Sequence, residues 1–440
     1  MPARAAVVTA PSSALPALVQ SAAVDPATRA PSAGVELVVA DLLGVIAGGY
    51  RTPEMRQLCE RLAAFSPVGD GSALLGAPDA RAAPETAAFA NATAGCWLEL
   101  DEGVRPTGHP AVHVVPAALA VAQAVHASGA RLLAAVAAGY EVTARLFAAF
   151  VPKRELHPHG SFGAIGAAVA AADLLDADCV SAAAIAAATP LAPMWSACLE
   201  GGTSRNAYAG HASALGVRAA YLAAAGFTPA RDAFDDAFSE VLGHFEHPPE
   251  PFGEAEQPAH TCNYFKFHSA CVLVHSAVDA TLSLGRIDPG EIRGVTVEVP
   301  SAALRVRDLP ALNELSIRFS LPYAVATALL LGAADERAMT VDEGRLDLAG
   351  LVDVRHVAEM DAAWPAQFPA RVVVRTAEAE HAAVVTNHHG HHLDPPAPAE
   401  LRDKFERLTA GTATAGCFEQ LAGLNTIPDV AGLFSTRRSP

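Results

Sequence analysis

Lysine is scarce in this sequence, and Lys153, Lys266 and Lys404 are the only three among 440 residues. Acidic residues are plentiful by comparison, and the formal net charge is −17 at neutral pH. A surface of this sign repels the phosphates of nucleic acids and of anionic membranes, which argues against either as a partner. A small anionic ligand would therefore need a local pocket of positive charge.

Several sequence signatures are also missing. The seven cysteines are scattered and form no Cys-x-x-Cys pair, which favours a reduced, cytoplasmic protein. Alanine-rich stretches are broken by charge, Gly or Pro before they reach membrane-spanning length, so we predict no transmembrane helix. No Gly-x-Gly-x-x-Gly follows a strand pattern, and there is no Walker-type lysine loop and no Gly-x-Ser-x-Gly. We therefore expect no nucleotide cofactor and no serine nucleophile.

Alanine is abundant, hydrophobic residues make up 51% of the chain, and alanine has the highest helix propensity. From about residue 32 to residue 226, apolar residues recur at helical spacing and Gly or Pro ends each stretch. After Ile287 the pattern changes, because residues 292–299 alternate between apolar and polar, and two further strand patterns flank an acidic turn. The sequence therefore predicts a mainly α protein in which a smaller α+β domain follows a helical one.

Three carboxylates and a histidine fall within eleven residues, at Glu99, Asp101, Glu102 and His109. They interrupt two helical patterns, and loops held by rigid scaffolds are favoured places for catalytic groups. The alternative is a solvated acidic turn with a histidine at the cap of the next helix.

A second group is His157-Pro158-His159-Gly160-Ser161, which leads into a helical pattern at residues 164–172. Free backbone N–H groups near Gly160 and Ser161, at the positive end of a helix, would suit a carboxylate. His157 could act as an acid or a base because its pKa lies near neutrality. Ordinary capping with surface histidines is the alternative.

Three further residues are candidates for substrate contacts. Arg205, at the start of a helix, can bind a carboxylate with a planar pair of donors, or it can simply be exposed. Lys266 lies among aromatic residues, where it is either a substrate-site cation or a lysine at the edge of the core. Tyr323 begins another helix and could hydrogen-bond a substrate or only pack.

The histidine-rich run at residues 387–392 raises the question of a metal site. It follows a strand pattern and precedes Asp394-Pro395-Pro396, so a solvated loop is the favoured interpretation. We predict no metal site.

Taken in order, these segments resemble the MmgE/PrpD family, which includes 2-methylcitrate dehydratase, cis-aconitate decarboxylase and iminodisuccinate epimerase. The matches cover roughly residues 35 to 430. They are Asn91 with the acidic run before His109-Pro110, Gly139-Tyr140-Glu141 with Arg145, His157-Pro158, Arg205 with Gly210, Lys266 with His275, and Ser320-Leu321-Pro322-Tyr323.

The resemblance implies a large all-helical domain, a smaller α+β lid and a polar cleft between them. We expect a flexible N-terminal segment at 1–33, the helical domain at 34–275, the lid at 276–398, and C-terminal helices at 399–440 that return to the helical domain. The family habit also implies a homodimer.

By resemblance, His109, His157, Lys266 and Tyr323 match active-site positions of the family. Glu99 and Gly103 stand where the decarboxylase-like pattern has Asp and Thr, and Arg205 stands where it has Lys. Glu99 keeps the acid and Arg205 keeps the cation, whereas Gly103 loses a hydroxyl that would contact the substrate.

The chemistry shared by the family moves a proton on or off a carbon beside a carboxylate. Such a carbon is a weak acid, so the protein must supply a base and stabilise the enolate-like charge. We expect His109 or His157 to exchange the proton, while Lys266 and Arg205 neutralise the carboxylates of a small polycarboxylic acid.

Glu99 or Asp101 would orient a histidine or help a hydroxyl to leave as water. This favours a metal-independent, dehydratase-type lyase over an epimerase or isomerase of an iminodisuccinate-like acid and over a decarboxylase of the cis-aconitate type. A catalytically inactive relative that only binds carboxylates is the alternative from another class.

Overall fold

Helices dominate the computed structural model, which describes residues 14–24, 33–65, 71–253 and 257–434. This confirms the prediction of a mainly α chain, and the sheets of the described residues are small. The helices of eight or more residues are Ala14–Val24, Ala33–Gly49, Pro53–Ala64, Pro84–Cys96, Pro110–Ala124, Gly129–Ala149, Gly163–Leu174, Cys179–Ala187, Ala207–Ala224, His275–Ser283, Leu321–Leu331 and Pro398–Thr409.

The helix Gly163–Leu174 lies at the centre of the largest hydrophobic core of the described residues, here called the helical core. Four helices pack around it, at Pro110–Ala124, Gly129–Ala149, Cys179–Ala187 and Ala207–Ala224. Small residues make this close packing possible, because a Cβ atom on Gly166 would lie only 2.4 Å from the carbonyl oxygen of Gly139. The alanine-rich composition therefore sets the short distances between helices.

The helix Gly129–Ala149 is long and apolar enough to cross a membrane by length and composition, but 83% of its most apolar window is buried inside the protein. It is a core helix of the described structure, and it packs against the helices Pro110–Ala124 and Gly163–Leu174. Its N-terminus is capped by Ser128, whose hydroxyl accepts a hydrogen bond from the backbone N–H of Arg131.

A four-stranded sheet organises the second core, here called the sheet core. The order across the sheet is Glu380–Val385, Ala370–Thr376, Ile292–Val299 and Val352–His356. The last two strands pair in parallel, and the other pairings are antiparallel. The helix His275–Ser283 packs on the strands Ala370–Thr376 and Glu380–Val385, and the helix Leu321–Leu331 packs on the strand Val352–His356. The buried valines of the central strands belong to this core. The alternating pattern at residues 292–299 predicted its strand correctly.

Shorter strands complete the description, and several of them fix loops near the cleft. They are Ser72–Leu74 with Ala77–Ala82, Gly103–Val104 with Asn263–Tyr264, and Phe150–Pro152 with Gly243–Phe245.

Part of the N-terminal segment 1–33, which we predicted to be flexible, is helical in the structure. Residues 1–13 and 25–32 lie outside the described ranges. Between them, Ala14–Val24 forms a helix whose Leu15, Leu18, Val19 and Ala22 are buried in the helical core. These four positions share one helix face, so the signal for a packed helix was present in the sequence.

The C-terminal helix Pro398–Thr409 packs against Ala33–Gly49 through Leu401 and Phe405, both of which belong to the helical core. A buried ion pair joins the two helices, with Lys404 Nζ 2.8 Å from Asp41 Oδ1. The helix Pro398–Thr409 therefore lies on the helical core, and the domain boundaries given above stay a prediction.

A cleft lies where segments from the two cores meet. The helical core contributes loops that carry Glu99, His109 and His157, and the segments around the sheet core contribute Arg305 and Trp364.

Candidate active site

The loop between the helices Pro84–Cys96 and Pro110–Ala124 forms the floor of the cleft. Glu99 has a φ of 52°, in the left-handed region that residues other than glycine rarely adopt. This conformation costs on the order of 1 kcal/mol or more and clusters at functional sites. The Glu99 side chain is buried, and its carboxylate contacts Arg205 and Lys266.

Asp101 is fully buried and is the centre of the charged network. Its carboxylate lies 3.4 Å from Lys266 Nζ, 3.1 Å from His109 Nδ1 and 3.3 Å from His159 Nε2. Burial alone raises the pKa of this carboxyl, but Lys266 and His109 outweigh it and hold the pKa well below its usual range. Asp101 is therefore ionised, and the interpretation of a solvated acidic turn is wrong for this residue.

His109 is oriented so that one ring nitrogen faces the cleft. Its Nδ1 lies 2.8 Å from the carbonyl oxygen of Glu102 and 3.1 Å from Asp101. A carbonyl can only accept, so Nδ1 carries the proton and the lone pair of the neutral ring is on Nε2. Nε2 has no hydrogen-bond partner among the described residues, and His109 lines the cleft. An imidazole oriented by a carboxylate, with a free lone pair, is the arrangement of a general base.

His157 is held in the opposite sense. Its Nδ1 accepts a hydrogen bond from the backbone N–H of His159 at 3.1 Å, so its proton is on Nε2. Burial, and then the charge of Arg205, hold the pKa of His157 well below its usual range, which keeps the ring neutral. With its lone pair already used, His157 is a hydrogen-bond donor toward the cleft.

The Nε2–H of His157 points at another donor, because Arg205 Nη2 lies 3.2 Å away. Two donors that face each other lack the acceptor that both require. A substrate carboxylate placed beside them would accept from both. The Trp195 ring packs against the His157 ring at an angle of 57°, with 4.4 Å between ring centroids.

Arg205 and Lys266 are both buried and both pair with carboxylates of the chain itself. Arg205 contacts Glu99, and Lys266 lies 3.4 Å from both Glu99 and Asp101. Burial lowers the pKa of Lys266, but Asp101 and Glu99 outweigh it and raise the pKa above its usual value, so the ammonium stays charged. The four ionised groups balance one another, two positive and two negative.

His113 was missed by the sequence analysis and links the two histidine segments. Its Nδ1–H donates to the carbonyl of His109 at 2.7 Å, and its Nε2 accepts from the backbone N–H of Gly160 at 3.0 Å. Burial lowers the pKa of His113 to about 4, so the ring is neutral. The spacing of four residues after His109, one helical turn, was the available signal.

This contact changes the predicted role of Gly160 and Ser161. Gly160 adopts a left-handed φ of 93°, and its N–H is used by His113 and is not open to a carboxylate. Ser161 donates its hydroxyl to the Pro158 carbonyl at 3.0 Å and lines a small neighbouring cavity. The structure therefore does not bring these two residues to the cleft as ligands for a substrate.

Tyr323 is also placed away from the cleft. It is fully buried in the sheet core, and its hydroxyl donates to the Thr340 carbonyl at 2.7 Å and accepts from the Asp342 N–H at 3.0 Å. Both capacities of the hydroxyl are used. In this arrangement Tyr323 is a packing residue, and the predicted substrate contact is not formed.

Gly103 and Tyr264 occupy adjacent space in a short two-stranded pairing. A Cβ atom on Gly103 would lie 2.3 Å from the Tyr264 hydroxyl oxygen, so a larger residue does not fit there. Tyr264 lines the cleft, and none of the hydrogen bonds between described residues involves its hydroxyl. Gly103 thus contributes space, and the hydroxyl beside it comes from Tyr264, which the sequence analysis missed.

The cleft has a volume of about 170 Å³ and a strongly positive lining. Trp195, Phe319, Tyr264 and Trp364 supply aromatic walls. One carboxylate, that of Glu99, faces six cationic side chains, which are Arg105, Lys153, Arg154, Arg205, Lys266 and Arg305. On a chain with a formal charge of −17, this is the local positive pocket that a small polyanion needs.

Cys96, Asp101 and His159 offer ligand atoms within 4.8 Å of one another, which is a distance suited to a metal ion. In the structure they contact one another, with a hydrogen bond of 3.5 Å between Cys96 Sγ and His159 Nδ1 and an ion-pair distance of 3.3 Å between His159 Nε2 and Asp101. Burial raises the pKa of the Cys96 thiol well above its usual value, so the thiolate that a metal prefers is disfavoured.

The histidine-rich run at residues 387–392 is not the solvated loop that we predicted. His388 and His391 are fully buried, and the ring of His388 lies 5.4 Å from that of Tyr264 and 5.1 Å from that of His275. Aromatic packing against the segment that carries Lys266 explains this burial.

Comparisons with known proteins agree with the order of these segments. The MmgE/PrpD N-terminal domain matches residues 13–248, and the MmgE/PrpD C-terminal domain matches residues 268–421. A human protein, cis-aconitate decarboxylase, is 27% identical over 316 residues, which cover 66% of this chain. The match spans 64% of the length of that relative. The two domain matches together cover most of the sequence, and the chain belongs to the MmgE/PrpD family.

Proposed function

We propose that this protein is a metal-independent lyase that removes a proton beside a carboxylate of a small di- or tricarboxylic acid, with loss of water as the favoured reaction. The observation that carries the proposal is the Asp101–His109 pair, whose free Nε2 faces a cleft lined by six cationic side chains.

In the first step, His109 Nε2 takes the proton from the carbon, and the electron pair of the C–H bond moves into the neighbouring carboxylate. Asp101 remains ionised and stabilises the imidazolium that forms. The charge that develops on the substrate carboxylate lies beside the donors of Arg205 and His157. Donors aimed at developing charge in a site that excludes water lower the barrier most effectively.

In the second step, the electron pair returns to form a carbon–carbon double bond, and the hydroxyl on the adjacent carbon leaves as water. Asp101 cannot supply the proton for this step because its pKa is held well below its usual range. Tyr264 can, since burial raises its pKa and keeps its unpartnered hydroxyl protonated in the cleft. We therefore assign Asp101 to orienting His109 and Tyr264 to protonating the leaving hydroxyl.

Decarboxylation is a second candidate, and the similarity to cis-aconitate decarboxylase favours it. In that reaction carbon dioxide leaves and a protonated His109 returns a proton to the carbon. The cationic cleft and the Asp101–His109 pair serve both reactions, and the two differ in which group leaves. Epimerisation would need an acid on the opposite face of the carbon from His109.

The test is an NMR assay of the purified protein in deuterated water with 2-methylcitrate, cis-aconitate and iminodisuccinate, which reports loss of water, loss of carbon dioxide and inversion in one experiment. We expect turnover or carbon-bound deuterium with at least one acid. His109→Gln should lower the rate by roughly 10²–10⁴-fold, the usual contribution of a general base.

The matched control is His247→Gln, because His247 is an exposed histidine outside the cleft. Its rate should equal that of the unaltered protein. Full activity in folded His109→Gln would refute the assignment of the base. Thermal stabilisation by these acids without any exchange would instead identify a carboxylate-binding protein. Sedimentation of the same samples tests the homodimer that the resemblance predicts.

A further inference from the structure

Arg105 is the most unusual charged residue of the cleft. All three nitrogens of its guanidinium are buried, and none has a hydrogen-bond partner in any of the described segments. Arg205 and Lys266 in the same cleft each contact carboxylates of the chain. A guanidinium carries five N–H donors in a planar fork, and leaving them buried without acceptors is costly.

Aromatic rings surround this guanidinium. The central carbon of Arg105 lies 5.2 Å from the ring centroids of Tyr264, Trp364 and Phe368. The ring faces attract the positive charge, but they offer no acceptor in the plane of the N–H donors. The cage therefore holds the cation in place and leaves its hydrogen-bonding capacity unused.

Among the described residues, no anionic group balances this charge. The groups that would favour the charged guanidinium if they were ionised are the phenol of Tyr264 and the thiol of Cys271, and the neighbouring His388, His391 and His392 carry no negative charge. Burial raises the pKa of Tyr264, and it raises that of Cys271 to about 11, so both are neutral at physiological pH. An arginine stays protonated in a protein, which leaves an uncompensated positive charge at the cleft wall.

Arg105 also lies near His109, the proposed base. The turn that carries it is closed by a hydrogen bond from the Val104 N–H to the Gly108 carbonyl at 2.9 Å, and His109 follows directly. The His109 ring lies 6.4 Å from the Tyr264 ring centroid, and Arg105 lies 5.2 Å from the same centroid. A small acid with a short carbon chain can therefore reach both groups.

We propose that Arg105 binds the third carboxylate of a tricarboxylic substrate, remote from the carbon whose proton His109 removes, and thereby selects tricarboxylic over dicarboxylic acids. This rests on the proposed function for the identity of the reacting end. The planar fork matches a carboxylate with two parallel N–H···O bonds, and the aromatic cage excludes the water that would weaken them.

The test compares the binding of two acids that differ by one carboxylate, tricarballylate and methylsuccinate, by titration calorimetry. Neither acid carries a hydroxyl to lose. We expect the unaltered protein to bind tricarballylate at least about tenfold more tightly, in line with a charge-assisted pair of hydrogen bonds. Arg105→Met should reduce this preference to less than about threefold while leaving the affinity for methylsuccinate unchanged.

Arg286→Met is the matched control, because it removes the same charge from an exposed arginine outside the cleft. It should keep the full preference for tricarballylate. Arg105→Gln is the second variant if Arg105→Met fails to fold, and the same loss of preference is expected.

Thermal unfolding separates a binding role from a structural one. If Arg105 serves the ligand, Arg105→Met without ligand should unfold at the same or a higher temperature, because an unpaired buried charge has been removed. A lower unfolding temperature together with an unchanged preference for tricarballylate would mean that Arg105 only joins the aromatic rings, and the proposal would be wrong.

The remaining outcomes also decide. An unaltered protein with no preference for tricarballylate overturns the proposal. So does inorganic phosphate that binds through Arg105 without displacing tricarballylate, since that would define a separate anion site. If the preference for tricarballylate depends on Arg105 but the protein exchanges no proton, this inference is supported and the proposed function is wrong. If the protein exchanges the proton but the preference does not depend on Arg105, the proposed function is supported and this inference is wrong.

Discussion

Replacing Asp101 by Asn tests the centre of the network with the smallest change of shape. The carboxylate accepts a hydrogen bond from Lys266 Nζ at 3.4 Å and lies 3.1 Å from His109 Nδ1 and 3.3 Å from His159 Nε2. An Asn side chain has one accepting oxygen and one NH₂ group, so at least one of these three donors must face another donor.

The consequence for His109 can be worked out from its second contact. The Glu102 carbonyl, 2.8 Å from Nδ1, holds the proton on that nitrogen, so the Asn NH₂ cannot be accommodated by moving the proton to Nε2. The ring must tilt or lose its charge stabilisation. When a carboxylate that orients a catalytic histidine becomes an amide, rates fall by about 10⁴, and we expect Asp101→Asn to lose roughly 10³–10⁴-fold in kcat. This corresponds to about 4–5 kcal/mol in the barrier.

Asp101→Asn should lower kcat, but it should not weaken the binding of an anionic ligand. The cluster of Arg205, Lys266, Glu99 and Asp101 balances in charge, and Asp101→Asn leaves it with one excess positive charge. The free energy of unfolding should fall by about 3 kcal/mol, which is the lower end of the range for a broken buried ion pair. The loss is at the lower end because Lys266 still has its ion pair with Glu99. Tricarballylate should bind as tightly as before or more tightly, and saturation with it should restore stability.

The assay therefore combines kcat, the dissociation constant of tricarballylate and urea unfolding on one variant. Asp279→Asn is the control, because Asp279 forms a similar pair with His268 at 2.7 Å outside the cleft. It should lose stability and keep kcat. A loss of less than about tenfold in kcat for Asp101→Asn, or a parallel loss of affinity for tricarballylate, would refute the role given to Asp101.

Two further predictions concern histidines. His157→Asn keeps an acceptor for the His159 N–H but removes the donor on Nε2. KM should therefore rise about 10- to 100-fold, with a smaller loss in kcat. An unchanged KM together with a large loss in kcat would mean that His157 is the base. Burial lowers the pKa of His388 from 6.5 to about 3, so the unfolded chain takes up this proton first and stability falls as the pH drops from about 6.5 toward 3. That loss amounts to at most about 5 kcal/mol, and urea unfolding against pH should show it reduced in His388→Asn, whose amide can still donate to the His389 carbonyl. An equal slope for both proteins would contradict the assignment.

The sequence alone determined the secondary structure over long stretches and the segments from which the site is built. Helical periodicity between about residues 32 and 226 depends on neighbours three and four positions apart, and strand alternation at residues 292–299 depends on neighbours two positions apart. Such local spacing is visible without a fold. The same spacing identified the helix Ala14–Val24 in retrospect, although composition suggested a flexible segment.

Tertiary structure alone decided what each polar group does, because the state of a donor or acceptor depends on its partner. The sequence predicts that the Gly160 N–H binds a substrate carboxylate, whereas in the structure this N–H donates to His113 Nε2. Tyr323 looked like a ligand until its hydroxyl was found to be used by the backbone of the sheet core. Spacing along the chain cannot reveal such partners, since they come from segments far apart.

The division between the two histidines has the same cause. His109 and His157 are equivalent in sequence terms, and only the Glu102 carbonyl on one Nδ1 and the His159 N–H on the other make one a base and the other a donor. Arg105 is the extreme case, because its importance lies in having no anionic partner in the described structure. The sequence fixes which charges exist, and the fold decides which of them neutralise one another and which remain for a ligand.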